Sequence, residues 1–308
     1  MNRLRLLLIA AALAPLGGCE WITRNLNKGP KNDEPLPKKT PDQFVTYLNE
    51  RAGRLQSINY GDVRLVARDR NSPVPIALHG SLAASQPRNF RMTGQGGAVA
   101  TKVDLGSNSD QFWVYFAAPT MNPMFVFASH DDFKDGKAKI PGGIPFDPDW
   151  VMQALGMTTL PTNNQYTVNI DQKARTYTLS WPAVTPANVS VVKEIVFDGD
   201  PATGTKPQVK KHLIRDTKGK VICSAEIKAA RTVQLSATDP NSGLPLAIQH
   251  PTLMVLKWEE QRFEMELELK TGEVNRPLAD EQARRLFTRP NIPGATPIDL
   301  ARYEFSGK

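Results

Sequence analysis

The chain has 308 residues, 40% hydrophobic and 22% charged, with 38 Lys and Arg against 31 Asp and Glu for a net charge of +7. This composition excludes a disordered or collagenous chain, and two cysteines exclude a disulfide-built scaffold. The basic balance does not point to nucleic acid: seven of the basic and three of the acidic residues lie within 1–40, which leaves +3 on the rest, an ordinary solvated surface.

The first element is Arg3 and Arg5 followed by an apolar run from Leu6 to Leu16 and then Gly17-Gly18-Cys19. The run is far shorter than the ~20 residues that cross a hydrocarbon core, so it reads as an export signal over 1–18 and not as a membrane span. Leu16, Gly17, Gly18 and Cys19 resemble the bacterial lipobox, in which signal peptidase cuts before a diacylglyceryl-modified cysteine. That resemblance makes Cys19 a lipid anchor, with Leu16, Gly17 and Gly18 as the peptidase recognition residues. Two or three acyl chains, at about 0.8 kcal/mol per buried CH2, hold a protein on the bilayer where one chain would not. A plain signal peptide with an incidental cysteine is the alternative. Glu20 follows the cysteine where some bacteria use Asp for inner-membrane retention, so the expected placement is the outer membrane, facing the periplasm.

Residues 19–40 are rich in Gly, Pro, Lys and Asn and read as a disordered tether with a mean reach of roughly 25 Å. Its lysines suit anionic headgroups. Folded structure is expected over 41–308 as a single domain. Thr40, Pro41 and Gln43 form a helix start, and Phe44, Leu48, Leu55 and Ile58 fall on one helical stripe with Tyr47 and Ala52 beside it. After this the period becomes two. Val63 and Leu65, then Phe90 and Met92, alternate with polar neighbours, and Phe263, Met265, Leu267 and Leu269 alternate strictly with Glu264, Glu266, Glu268 and Lys270. Such strands have one dry and one wet face, as antiparallel sheets do.

Strands are expected at 62–69, 75–84, 88–94, 98–105, 111–117, 124–129, 165–171, 175–181, 189–198, 208–215, 220–230, 252–259 and 262–270. Turns at 106–110, 171–174 and 216–219 link neighbours into a meander. A second helix is expected in DPDWVMQALG, capped by Asp147, and a shorter one in LADEQARRLF. The fold class is mainly β (α+β), with a curved antiparallel sheet or unclosed barrel of about 11–13 strands covered by a few helices.

The capped helix, the long meander, FRMTG and the hairpin VDLGSNSDQFWVYFA together resemble the LolA/LolB superfamily of lipoprotein carriers. In that family a curved, unclosed sheet receives acyl chains on its apolar concave face beneath helices. The resemblance implies a lipid-anchored member that binds an acyl chain or a lipidated protein, in lipoprotein or lipid transfer to the outer membrane. The cavity candidates are Val63, Leu65, Phe90, Met92, Trp113, Phe263, Met265, Leu267 and Leu269. The segment FTRPNIPGATPIDLAR exceeds the family's usual length and forms a C-terminal extension of open role.

The remaining motifs carry no chemistry. GQGGAVA at 94–100 lacks phosphate-loop spacing and reads as a β-turn. His79, His130, His212 and His250 show no metal-ligand spacing, Asp131-Asp132 reads as a solvated turn, and no GxSxG elbow is present. Cys223 reads as a buried, inert strand cysteine, and Trp150, Trp181 and Trp258 as core. The expectation is therefore a non-enzyme without cofactor, metal or nucleic-acid partner. A structural envelope lipoprotein with a filled interior is the alternative, and an envelope hydrolase a third reading.

Overall fold

The computed structural model describes residues 34–69, 74–96, 100–119, 122–138, 147–185, 188–200, 208–238 and 245–303. The peptidase and lipidation residues Leu16, Gly17, Gly18 and Cys19 lie outside them. Chain contacts divide the protein at Pro37. Of the first unit, 34–37 are described and contain no helix or strand.

The unit beginning at Lys38 is organised around one sheet. Its strands are β1 (Ser57–Asp69), β2 (Ile76–Ser85), β3 (Asn89–Gly96), β4 (Thr101–Ser107), β5 (Gln111–Ala117), β6 (Met124–Ser129), β7 (Thr167–Asp171), β8 (Thr176–Val184), β9 (Ser190–Asp198), β10 (Val209–Asp216), β11 (Val221–Thr238), β12 (Pro245–Trp258), β13 (Phe263–Val274) and β14 (Ile298–Asp299). The order across the sheet is β14-β6-β5-β4-β3-β2-β1-β13-β12-β11-β10-β9-β8-β7. Two meanders are thus joined where β1 pairs antiparallel with β13, and the end strands β14 and β7 are not paired with each other. The helices are α1 (Pro41–Arg54), α2 (His130–Lys134), α3 (Pro148–Ala154) and α4 (Asp280–Leu286).

Register makes one face dry. Val63 pairs with Leu269, Leu65 with Leu267 and Ala67 with Met265, while Arg64 pairs with Glu268 and Arg68 with Glu264 on the reverse side. The reverse side carries a charge ladder in which Arg64 lies 3.5 Å from Glu266, Arg68 lies 3.2 Å from Glu264, and Lys257 lies 3.2 Å from Glu264. Exposed pairs of this kind add little stability. Their effect is on register, because a one-residue slip would put three glutamates into the core.

A bulge between Tyr60 and Val63 resets the alternation in β1, so that Ile58 and Tyr60 before it share a face with Val63 and Leu65 after it. The sequence-expected helical stripe therefore ends earlier than its apolar spacing suggests. The helix stops at Arg54, Leu55 is its C-cap, and Ile58 belongs to β1.

Every expected strand is present, and a fourteenth, β14, comes from the C-terminal extension and pairs parallel with β6. Two strands run much further than expected: β11 continues to Thr238 and β12 begins at Pro245. Pro245 and Pro251 mask this hairpin, since proline ordinarily argues against strand. In the structure Pro251 stands opposite Ala230 at an irregularity in the register. Asp131 and Asp132, expected in a turn, sit in the first turn of α2, where Ser129 Oγ accepts from the Asp132 N–H at 3.0 Å.

Leu267 is fully buried in the central cluster. Leu267→Ala is expected to lower stability by about 2–5 kcal/mol, read as a lower urea midpoint with unchanged slope.

Candidate functional site

The dry face gathers most of the cavity candidates. Val63, Leu65, Phe90, Met92, Met265, Leu267 and Leu269 join a single buried cluster, and Phe263 packs against it. That face is occupied by the chain's own side chains: Leu55 from the end of α1, Trp150, Val151, Met152 and Ala154 from α3, and Leu155 and Met157 just beyond. The Trp150 and Trp258 rings meet edge to face at 6.1 Å, and Trp258 lies 5.6 Å from Phe263. At the far side, α1 sets Phe44 on Phe197 at 4.6 Å and on Tyr177 at 5.3 Å.

Trp113 does not join them. It is fully buried, but its register partners Gly106 and Phe127 place it on the reverse side of the sheet, where its Nε1 donates to Asp104 Oδ1 at 3.0 Å. Asp104 is also held by Arg91 at 2.8 Å, and Arg91 donates to the Leu286 carbonyl at the end of α4. Gly106 must be glycine, since a Cβ there would come within 2.0 Å of the Trp113 ring. The alternation of QFWVY put two adjacent aromatics in one strand, and strand geometry sends Phe112 to the dry face and Trp113 to the other. Trp113 thus forms part of the seat for the C-terminal extension, which is further fixed by Asn108 donating to the Phe287 carbonyl and by the Arg289 guanidinium 3.6 Å above the Phe127 ring.

Where α1 and α3 meet the sheet, polar groups are buried that the sequence reading missed. Arg51 is 9% exposed, and among the described residues its hydrogen bond is from Nε to the Gln249 carbonyl at 3.0 Å. Burial pulls its guanidinium below its ordinary value, though an arginine stays charged. Gly156, at φ +81°, passes directly under it, and a Cβ there would lie 2.7 Å from the guanidinium. His212 on β10 and His250 on β12 are buried with both ring nitrogens lacking partners among the described residues. His250 stacks on Tyr60 at 5.6 Å, and the Tyr60 hydroxyl accepts from Arg231. Asp147 caps α3 through the Asp149 and Trp150 N–H groups, and burial raises its carboxyl above the usual range against the pull of Lys193. Cys223 is buried beside it, and burial, reinforced by Asp147, pushes its thiol up to about 12, where it is unreactive.

One sequence signal could have found the seam. Arg51 lies seven residues after Phe44, three after Leu48 and four before Leu55, on the apolar stripe itself. A charged residue at that position must be buried or must break the helix.

Two spaces flank Arg51, each about 10 Å³, the size of one water. One is bounded by Tyr47, Gln208, Gln249 and Pro251, the other by Gln153, Gly156, Thr158 and His212. A larger open groove of about 940 Å³ lies over β1–β5 and is lined by His79, Ser81, Thr93, Gln95, Lys102 and Tyr115 among others. Among the described residues, no three His, Cys, Asp or Glu side chains are grouped so that they could hold a metal ion, and no helix is long and apolar enough to cross a membrane.

No known sequence family and no curated protein matches the chain. Solved structures of similar architecture exist. A domain from Vibrio parahaemolyticus described as an outer membrane lipoprotein-sorting protein is 9% identical, covering 80% of this chain and 98% of its own, at a TM-score of 0.46. A LolA superfamily protein from Nitrosomonas europaea is 10% identical over 80% of this chain and 97% of its own, with a TM-score of 0.43. A DUF1329 family protein from Desulfovibrio piger is 10% identical over 79% and 96%, with a TM-score of 0.45. At these identities and scores the likeness is one of general architecture and says nothing of family or ligand.

The buried histidines give the fold a pH dependence. Burial first, and the charges of Arg51 and a second cation next, press both His212 and His250 down to about 3 from an ordinary 6.5. Below about pH 6.5 the unfolded chain takes up protons that the folded chain refuses until about pH 3. Stability therefore falls as pH drops through that window, by up to about 1.4 kcal/mol per pH unit for each histidine. Asp147 acts in the opposite sense, because its raised folded value makes its contribution fade as pH rises. His250→Phe, which keeps a ring on Tyr60, is expected to flatten the fall in urea midpoint between neutral and mildly acidic pH relative to wild type.

Proposed function

We propose that the protein is a non-catalytic cell-envelope lipoprotein, anchored through Cys19 at the periplasmic face of the outer membrane, whose dry sheet face accepts acyl chains, free or protein-linked, when α1 and α3 swing away. The observation that carries this reading is the contrast within the interior. Sheet residues such as Leu65, Met254 and Leu267 pack as an apolar layer, whereas the joint between the helices and that layer contains Arg51, His212, His250 and Asp147. Buried ionisable groups cost several kcal/mol in desolvation, and apolar side chains of similar volume would close the joint more firmly. A cover built this way opens at a lower cost than a continuous core does.

The test is direct binding of a fluorescent acyl probe to the full-length protein in lipid nanodiscs, with native mass spectrometry for lipid co-purified from its own host. Saturable probe binding competed by unlabelled fatty acid is the expected result. A second reading, a structural lipoprotein with a permanently filled interior, is favoured by the water-sized spaces at the seam. A folded protein that neither binds the probe nor carries lipid would establish that reading over the first.

The anchor is tested separately. Metabolic labelling with a clickable fatty acid is expected to mark the wild-type protein and to be lost in Cys19→Ser. Undiminished label on the variant would remove the lipoprotein assignment.

A further inference from the structure

On the reverse side of the sheet, register aligns two rows of polar side chains over β1–β5. Arg64 on β1 pairs with His79 on β2, His79 with Gln95 on β3, and Gln95 with Lys102 on β4. The second row runs from Ser81 through Thr93 and Asp104 to Tyr115 on β5. Neighbours in a row stand ~4.8 Å apart and the rows roughly 7 Å apart, so the side chains form a grid. The groove of about 940 Å³ lies over this grid, and its lining adds Asp62 at the β1 irregularity and Ile292 and Pro293 of the C-terminal extension. Part of the grid is held in place by the fold. Ser81 and Thr93 share a hydrogen bond at 2.9 Å, Asp104 is fixed by Arg91 and Trp113, and Tyr115 meets Phe125 edge to face at 5.6 Å. By contrast, the exposed side chains of His79, Gln95 and Lys102 make no hydrogen bond or ion pair among the described residues.

We propose that this groove is a binding site for an uncharged oligosaccharide. The lining decides the class. An acyl chain finds no apolar floor, because the apolar side chains of the lining are only Val103, Ile292 and Pro293. A polyanion finds Lys102 set against Asp62, with Asp104 already neutralised by Arg91. An extended peptide finds no sheet edge, because β1–β5 are each paired on both sides and their backbone groups are spent in the ladder. A sugar hydroxyl both donates and accepts, and the grid offers both capacities: Lys102 donates, Asp62 accepts, and Ser81, Thr93, Gln95 and His79 do either. Tyr115 adds a flat ring with a polar tip at the end of its row. The volume falls within the ~300–1,000 Å³ of ordinary ligand sites, and the groups already held by the fold lose little freedom on binding. The groove lies on the opposite side of the sheet from the dry face, so the inference stands whether or not an acyl chain binds there.

The experiment is titration calorimetry of the full-length protein in lipid nanodiscs with chitotetraose and, separately, with maltotetraose, each at millimolar concentration. The expected result is saturable binding of one of the two, weakened about tenfold in Gln95→Ala and in His79→Ala. Both positions are exposed, so the urea midpoints of these variants are expected to stay near the wild-type value. Binding of chitotetraose places the ligand among β-linked amino sugars and binding of maltotetraose among α-linked glucose polymers, and either sustains the site. Heat from neither sugar, or binding undiminished in both folded variants, would overturn it. Displacement of the bound sugar by inorganic phosphate would overturn it as well, because that would define an anion site. The acyl probe is expected to bind both variants as it binds wild type, which keeps a failure here distinct from a failure of the acyl reading.

Discussion

A sheet with one apolar face that does not close on itself must find something else to cover that face. The β1–β13 pairing joins two meanders into fourteen strands, and every inward residue along them, from Phe112 on β5 to Leu179 on β8, requires cover. A closed barrel would supply it from its own opposite wall. Here the cover is α1 and α3 with the turn that follows α3, and the placement of buried polar groups follows from that need. Helices bring capping groups and unsatisfied terminal carbonyls with them. The end of α1 is met by Gln86, which donates to the Ala52 and Leu55 carbonyls at 2.8 and 3.0 Å, and by Asn275, which donates to the Arg54 carbonyl at 2.5 Å. Asn49 in its middle exchanges two bonds with the backbone of Leu160. The cover is therefore fastened at its edges by amides and packed at its centre by Trp150 and Leu55.

The reverse side has its own layer. Charged residues suffice over β1, β12 and β13, where Arg64, Arg68 and Lys257 interleave with glutamates. Over β3–β6 the extension takes their place, with Phe287 buried, Arg91 gripping both Asp104 and α4, and β14 added beside β6. β14 also covers part of what would otherwise be an open edge, which an exposed sheet has to protect. The extension is thus an integral part of the fold at that end of the sheet.

Most of this architecture was legible in the sequence because a period of two survives wherever one face is wet. FEMELELK states its own orientation, and the short turns at 106–110, 171–174 and 216–219 fix antiparallel neighbours. What was not legible depended on pairings distant in sequence. The β1–β13 closure joins residues some two hundred positions apart, and nothing local in either strand announces the other. Trp113 is a cavity candidate through the resemblance of its hairpin to the LolA/LolB superfamily, but the strand's parity, set by Phe112 and Val114, sends it outward to a partner, Asp104, that only the hairpin register reveals. His212 and His250 are separated by a whole hairpin and looked like scattered residues, yet the β10–β11–β12 order brings both rings to the charge of Arg51.

The seam also explains why its histidines are compatible with a stable fold. A protonated imidazole beside Arg51 would place two like charges in an interior with little dielectric screening, so the ring next to a fixed guanidinium is held neutral over the whole physiological range. Neutrality leaves each ring one N–H donor and one acceptor, which is the capacity required to complete a polar joint without adding to its charge. Leucine at the two histidine positions would make a drier joint and a tighter cover. Their desolvation is a cost set against the burial of the apolar layer beneath, from Val63 to Leu269.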